Sequence, residues 1–324
     1  MVHLRIVSPP ARTQEVLEVL ESTESVINVI ALEGAARKPD GDVIMADVAR
    51  EDASVVLSDL KELKVHEDGS IALELIDTAL SAHAERAERH AAGAAADAVV
   101  WEEVEQRTSE NVELSAVFVL FIVLAALIAA VGIFLNSPIL IVGAMVVGPE
   151  FGPIAGVCVA VVQRRRKLAI RSAIALAVGF PLAISATFVA TLIFKATGLT
   201  PETFSEQSHS LSNVISSPDF FAAFVAVCAG TAGVLSLSTA KSGALIGVAI
   251  SITTIPAAAN IGVSAAYRDW PSWRGSLAQL SINLVAIVVS GTVVLTIQRA
   301  LYHRRKRRHE REELPDGALA GAER

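Results

Sequence analysis

Between Ser137 and Gln163 the chain reads SPILIVGAMVVGPEFGPIAGVCVAVVQ, an apolar stretch long enough to cross a bilayer, with one carboxylate, Glu150, near its middle. An ionisable group at bilayer depth is costly, and its default reading is functional. Low dielectric disfavours the charged form of a carboxyl group, so one placed there is suited to exchanging a proton or pairing with a cation. Around it stand Gly148, Pro149, Gly152 and Pro153. A proline withholds its backbone N–H and crowds the preceding turn. A bilayer core has no water for the groups so released, and such a break survives only when buried in protein or lining a wet cavity. The residues therefore point to a broken helix whose half-helix ends, with their partial charges, face an ion or a small polar solute.

A second polar set lies further on, in SITTIPAAANIG. Thr253, Thr254 and Asn260 flank Pro256, while Asn283 and Ser290 share one side of a later apolar segment at a spacing of seven. Asn283 and Ser290 also fit plain hydrogen bonding between membrane helices. Glu150 has a structural alternative as well, a pair with Lys241 or Arg171 that never meets a ligand. The candidate substrate- or ion-binding residues are thus Glu150, Gly148, Pro149, Gly152, Pro153, Thr253, Thr254, Pro256, Asn260 and Asn283. No intramembrane histidine accompanies the serines, and there is no paired-carboxylate, P-loop or HExxH pattern, so an enzyme is not expected. The two cysteines, Cys158 and Cys228, show neither CxxC nor Cys/His spacing. No metal or cofactor is expected.

The elements that must position these residues follow from how apolar and charged residues are distributed. The mean hydropathy is +0.52, but the apolar residues gather after residue 114. Residues 1–114 hold 24 Asp/Glu against 10 Lys/Arg, residues 115–298 hold 5 against 9, and residues 299–324 hold 5 against 8. An acidic head argues against nucleic acid as a partner, which requires clustered bases to replace counterions. Six segments are long and apolar enough to span: 115–135, 139–162, 172–194, 220–240, 242–266 and 275–298. Glu150 is the only formally charged residue in them.

Basic residues set the expected orientation. Arg164, Arg165, Arg166, Lys167 and Arg171 follow the second segment, and Arg299, Arg304, Arg305, Lys306, Arg307 and Arg308 follow the sixth. With these facing the cytoplasm, six crossings leave both termini inside. That agrees with a start, MVHLRIVSPP, lacking the basic and apolar regions of a signal peptide. The basic tail suits a positive-inside anchor or recognition of anionic lipid. The second and fifth segments are both interrupted, at GPEFGP and at TTIPAAAN. LIVGAM, residues 140–145, has a weak echo in ALIGVA, residues 244–249. Each half has three spans and so the halves run in opposite senses, the arrangement of a 3+3 inverted repeat with two broken helices, as in secondary transporters.

The head, residues 1–77, alternates between strand and helix periods: strands near residues 2–7, 25–32, 41–49 and 71–75, with helices near 11–21 and after Asp52 as N-cap. The expected loop GAARKPDG separates the middle strands. This βαββαβ order is that of a ferredoxin-like α+β domain. It fits either an oligomerisation module or a ligand site near the turn Ser8–Arg12. A helical connector, 78–113, carries His83 and His90 on one face, read as solvated, and Trp101, read as a packing residue. The spanning domain occupies 114–298 and a basic tail 299–324.

NSPILIVGAMVVGPEFGPI, AGTAGVLSL, GVAISITTIPAAANIG and SINLVAIVVSG together resemble a bacterial family of uncharacterised hydrophobic membrane domains of unknown function. The resemblance covers residues 101–299. It implies an inner-membrane protein with a broken-helix core, often a ferredoxin-like cytoplasmic head, and transport activity. That family commonly has leucine where Glu150 stands and Pro-Pro in place of Ile255-Pro256, so Glu150 marks a subgroup with its own substrate or coupling ion.

The expectation is a polytopic α-helical membrane protein with a ferredoxin-like head, acting as a transporter or permease for a small solute and coupled to protons or cations through Glu150. The alternatives are a membrane-anchored sensor or scaffold whose head binds a ligand, and a channel. Membrane lipid and further copies of the chain are the expected partners, since an open-faced sheet and many glycines favour a homo-oligomer.

Overall fold

The structure, a computed structural model, describes residues 1–76, 81–91, 99–200, 210–238 and 244–312, with side chains described outside 244–253, 305–312 and a few other helical positions. The chain divides into two compact units, the first built mainly on Met1–Val104 and the second on Glu105–Leu237 and Lys241–Arg304.

In the first unit, β1 (Val2–Ser8) turns Val2, Leu4 and Ile6 inward at period two. Then come α1 (Thr13–Ser22), β2 (Val26–Arg37), β3 (Asp40–Val48), α2 (Ala53–Glu62), a short α3 (Val65–Asp68) and β4 (Ser70–Leu75). The four strands form one antiparallel sheet in the order β2-β3-β1-β4. Leu4, Ile6 and Ile44 from the sheet pack against Val16 and Leu20 of α1 and Leu57 and Leu60 of α2, all fully buried. The other face is open, with Ile30 and Leu32 of β2 nearly half exposed.

Two local expectations need correction. Gly34–Arg37 is not loop: Ala36 pairs with Gly41 and Arg37 with Asp40, so the turn shrinks to Lys38-Pro39. The irregularity of the segment is absorbed within β2, where the register shifts between Leu32 and Ala36 and Gly34 takes φ +60°, a left-handed value that glycine adopts without a Cβ penalty. Asp52 precedes α2 but makes no side-chain cap. The turn Ser8–Arg12 is tied down, since Arg12 Nη1 donates to the Lys64 carbonyl at 2.6 Å and Nη2 pairs with Asp68 at 3.1 Å.

After α4 (Ala82–His90), where His83 is exposed, α5 (Trp101–Asn111) begins at a buried Trp101 whose N–H donates to Ser54 Oγ. The side chain of His90 lies outside the described residues. The second unit continues with α6 (Ala116–Phe134), α7 (Pro138–Val147), α8 (Phe151–Gln163), α9 (Arg166–Ala196), a short α10 (Ser210–Ser216), α11 (Phe220–Ser238), α12 (Ala244–Tyr267) and α13 (Trp270–Glu312). Among the described residues four helices, α6, α9, α11 and α13, are long and apolar enough to cross a membrane, and α7 with α8 makes a fifth if that bent pair is one span. These apolar helices fit a membrane protein.

Two helices overrun their expected ends. α9 begins at Arg166, six residues before its apolar segment, because Arg164 turns the chain at φ 57° and leaves the basic residues in the first turn. The sixth segment and the start of the basic tail form one helix of 43 residues. Small residues set the helix spacing. A Cβ on Gly156 of α8 would meet Val112 Cγ2 at 2.5 Å, and one on Gly230 of α11 would lie 2.6 Å from the Ile287 carbonyl of α13. Gly143 faces open space and has no such duty.

Asp42 joins the hairpin to α1. It accepts from Thr13 Oγ1 at 2.6 Å and from the Gly34 N–H at 2.7 Å. The Thr13 bond, then that of Gly34, holds its carboxyl below the ordinary value of 3.8. Since the native value is depressed, the stability it contributes is complete above the ordinary value and is lost as pH falls through the native one. In the full-length protein, Asp42→Asn should therefore flatten the acid side of a stability-against-pH curve followed by hydrogen exchange of β2 and β3 amides. An acid limb identical to that of the parent would contradict this role.

Candidate functional site

The break in the second apolar segment is real, and its local causes are visible in the backbone. Gly148 precedes a proline, which disfavours helical geometry, and it is extended at φ −63°, ψ 125°, so α7 stops at Val147. α8 starts with Glu150 at its N-cap position, and Pro153 falls in its first turn, where a missing N–H removes no helical bond. The two half-helices meet at 54°.

Glu150 is fully buried, yet its side chain makes no cap on its own helix. It turns instead to α12, where Thr254 Oγ1 donates to Glu150 Oε1 at 2.8 Å. Gly148 provides the room. A Cβ there would lie 2.5 Å from Glu150 Oε2, 3.1 Å from Oε1 and 3.0 Å from Ile255 Cγ1. The carboxylate is thus folded over the break and held against the turn of α12 that precedes Pro256. It also stands where two apolar clusters adjoin. One takes Ile141, Ala144, Met145, Ile255 and residues of α6 and α9, and the other takes Ile154, Ala226, Ala229 and Ile287 with Phe151 against it.

The fifth segment differs from expectation. α12 is continuous from Ala244 to Tyr267, with Pro256 inside it, so among the described residues one of the two expected broken helices is found. The difference is physical. A lone proline removes one backbone bond and leaves neighbouring helices to accommodate it, whereas GPEFGP combines a pre-proline glycine with a second proline placed to begin a new helix. Helix α9 likewise passes through Pro181.

The remaining candidates separate into groups. Gly152 and Pro153 are buried in the first turn of α8 and Pro149 is half-buried at the bend. Thr254 joins Glu150, but the side chain of Thr253 lies outside the described residues, as does Lys241. Arg171 is exposed on α9. Asn260 is buried at a junction of three helices: its Oδ1 accepts from Ser212 Oγ at 2.9 Å, and its Nδ2 donates to Ser276 Oγ at 2.8 Å. It ties α10 and α13 to α12. Asn283 is buried on α13 and accepts from Gln279 Nε2 at 2.9 Å. Pro256, Asn283 and Gln279 border a cavity that neither Glu150 nor Thr254 lines.

Ser212, Ser276 and Gln279 were not anticipated. The signal for Gln279 was available, as it precedes Asn283 by one helical turn. Ser212 sits in a polar loop, where no periodicity distinguishes it.

Two substitutions test the Glu150–Thr254 arrangement. Thr254→Val removes a donor from a buried carboxylate and should cost about 1–3 kcal/mol, and Gly148→Ala should cost a similar ~1–3 kcal/mol by crowding the same oxygens. Thermal unfolding in detergent checks both. Changes that are fully additive with Glu150→Gln would show that Glu150 does not mediate them.

Comparison with known proteins places this geometry. An uncharacterised protein of Methanocaldococcus jannaschii is 26% identical over 200 residues, a match covering 61% of this chain and 59% of that protein, so the chain spans less than two thirds of that relative. No solved structure matches the chain. Residues 145–289 match the model of a family described as a domain of unknown function, DUF389. The bend at Gly148, Glu150, the proline of α12 and Asn283 all fall inside that stretch, whose similarity is to the kind of uncharacterised domain that the sequence resemblance anticipated.

Proposed function

We propose that the second unit is a transporter or permease for a small solute, embedded in the inner membrane and coupled to a proton or cation through Glu150. The observation that carries this reading is the fully buried carboxylate at the bend between α7 and α8, bound by Thr254 of a proline-bearing helix. Burying a carboxyl group between apolar clusters is costly. It is also the chemistry needed to take up a proton or pair with a cation on one side and release it on the other. The absence of a helix break in α12 removes one of the two supports for an inverted repeat, so the coupling reading rests on the carboxylate and the α7–α8 bend.

The membrane topology belongs to the same proposal. Six spans follow if the bent pair and α12 each cross, and the arginines after α8 and within α13 then place both termini in the cytoplasm. The sheet order β2-β3-β1-β4 supports a ferredoxin-like head, and its open apolar face, with the close-packed glycines, favours a homo-oligomer. The alternative of a ligand-sensing head is weakened by Arg12, which already bonds to Lys64 and Asp68 at the turn where a ligand was considered.

The test is electrogenic uptake by proteoliposomes on a solid support, screened with panels of amines, amides, carboxylates and monovalent cations at pH 5.5–8.5. A pH-dependent current is expected from the parent protein. Glu150→Gln should abolish the pH dependence, and Glu150→Asp should retain part of it. Uptake by Glu150→Gln with the parental pH profile would sink the coupling role.

A further inference from the structure

Away from Glu150, helices α10, α11, α12 and α13 enclose an open cavity of about 510 Å³. Its walls are largely apolar: Val214 and Ile215 of α10, Phe221 and Val225 of α11, and Pro256 and Ala257 of α12. One side is formed by a pair of amides on α13. Gln279 and Asn283 are one helical turn apart and buried, with Gln279 at 5% exposure, and Gln279 Nε2 donates to Asn283 Oδ1 at 2.9 Å. That bond fixes which end of the Gln279 amide is turned away from Asn283. The remaining atom, Gln279 Oε1, is buried and accepts no hydrogen bond from the described residues. Leaving such an acceptor without a donor costs free energy that a suitable ligand recovers on binding. Asp219 lies exposed on the lining, its Oδ1 accepting from the Ala222 N–H at 2.7 Å.

We propose that this cavity is a binding site for a small solute with an apolar body and an N–H donor, neutral or cationic, which donates to Gln279 Oε1. Apolar walls around a few placed polar groups, at this volume, are the usual make-up of a small-molecule site. The exposed Asp219 carboxylate disfavours anions by charge. An acyl chain is a poorer occupant because it fills the apolar walls but leaves Gln279 Oε1 unpaired. The site stands independently of proton coupling, since neither Glu150 nor Thr254 contributes to its lining.

The probes share one body and differ in the head group: 3-phenylpropanamide, its methyl ester analogue methyl 3-phenylpropanoate, and 3-phenylpropanoate. Binding to the full-length protein in nanodiscs, followed by calorimetry with no ion gradient, should favour the amide over the ester by at least about tenfold, as expected when a buried acceptor must be matched. The carboxylate should not bind. Gln279→Leu should bring the amide and ester to equal affinity by weakening the amide alone. Val225→Trp, at a position 42% exposed, fills the cavity without touching its amides and should abolish binding of both. If Gln279→Leu does not fold, the amide-to-ester ratio of the parent and the Val225→Trp result decide the matter. Equal affinity of the parent for amide and ester, no binding of either, or undiminished binding by Val225→Trp would overturn the proposal. Because binding is measured without flux, its failure leaves the Glu150 reading untouched, and a Glu150→Gln variant that keeps the parental pH profile of uptake leaves this site untouched.

Discussion

Everything in the second unit has to accommodate one constraint: a helix interrupted in apolar surroundings must find partners inside the protein for what the interruption exposes. The chain meets it at GPEFGP by local and distant means together. Gly148 and Pro149 end one half-helix, and Pro153 begins the next without wasting a donor. Glu150 crosses to Thr254 of α12. Because the missing side chain of Gly148 makes the space the carboxylate occupies, the residues that break the helix also fasten the break to another one.

The same economy runs through the surrounding bundle. Small residues and a few buried polar groups bring helices together beside the larger apolar side chains of the core. Gly156 allows approach between α8 and α9, and Gly262 between α12 and α9, where a Cβ would lie 2.6 Å from the Ile184 carbonyl. Asn260 links α10, α12 and α13 by its side-chain amide. Where water is scarce, a buried amide is most secure when its donor and acceptor are both used. Asn260 satisfies that condition within the protein, while Gln279 of α13 meets it only through one end of its amide. The contrast separates a polar residue that holds helices together from one that can hold something else.

The head is governed by ordinary aqueous packing. Its sheet buries one face beneath α1 and α2 and leaves the other open, and its polar ties are local: Asp42 to Thr13 and Gly34, Arg12 to Lys64 and Asp68. These contacts fix the hairpin and the first turn. They also engage Arg12 at the turn Ser8–Arg12.

Much was legible in the sequence because the relevant physics is local or periodic. The period-two strands of the head, the long apolar helices, the stop at Gly148-Pro149 and the restart before Pro153 all follow from residues adjacent in the chain. Glu150 stood out because a lone charge in an apolar stretch is conspicuous. Three features did not follow. Pro256 carries the same local warning as Pro149, yet α12 runs through it, since whether one missing backbone bond is tolerated depends on the neighbours packed around the helix. Gly34–Arg37 has loop-like composition but pairs with β3, because the ladder across the hairpin outweighs turn propensity. The division of the polar residues, Thr254 to Glu150, Asn260 to a helix junction and Gln279 with Asn283 to a separate cavity, depends on which faces of α12 and α13 meet which helices. Sequence alone determined the residue types, the apolar lengths and the place of the break; tertiary packing decided their partners, because hydrogen bonds between residues 48 or 104 positions apart in the chain exist only once the helices are assembled.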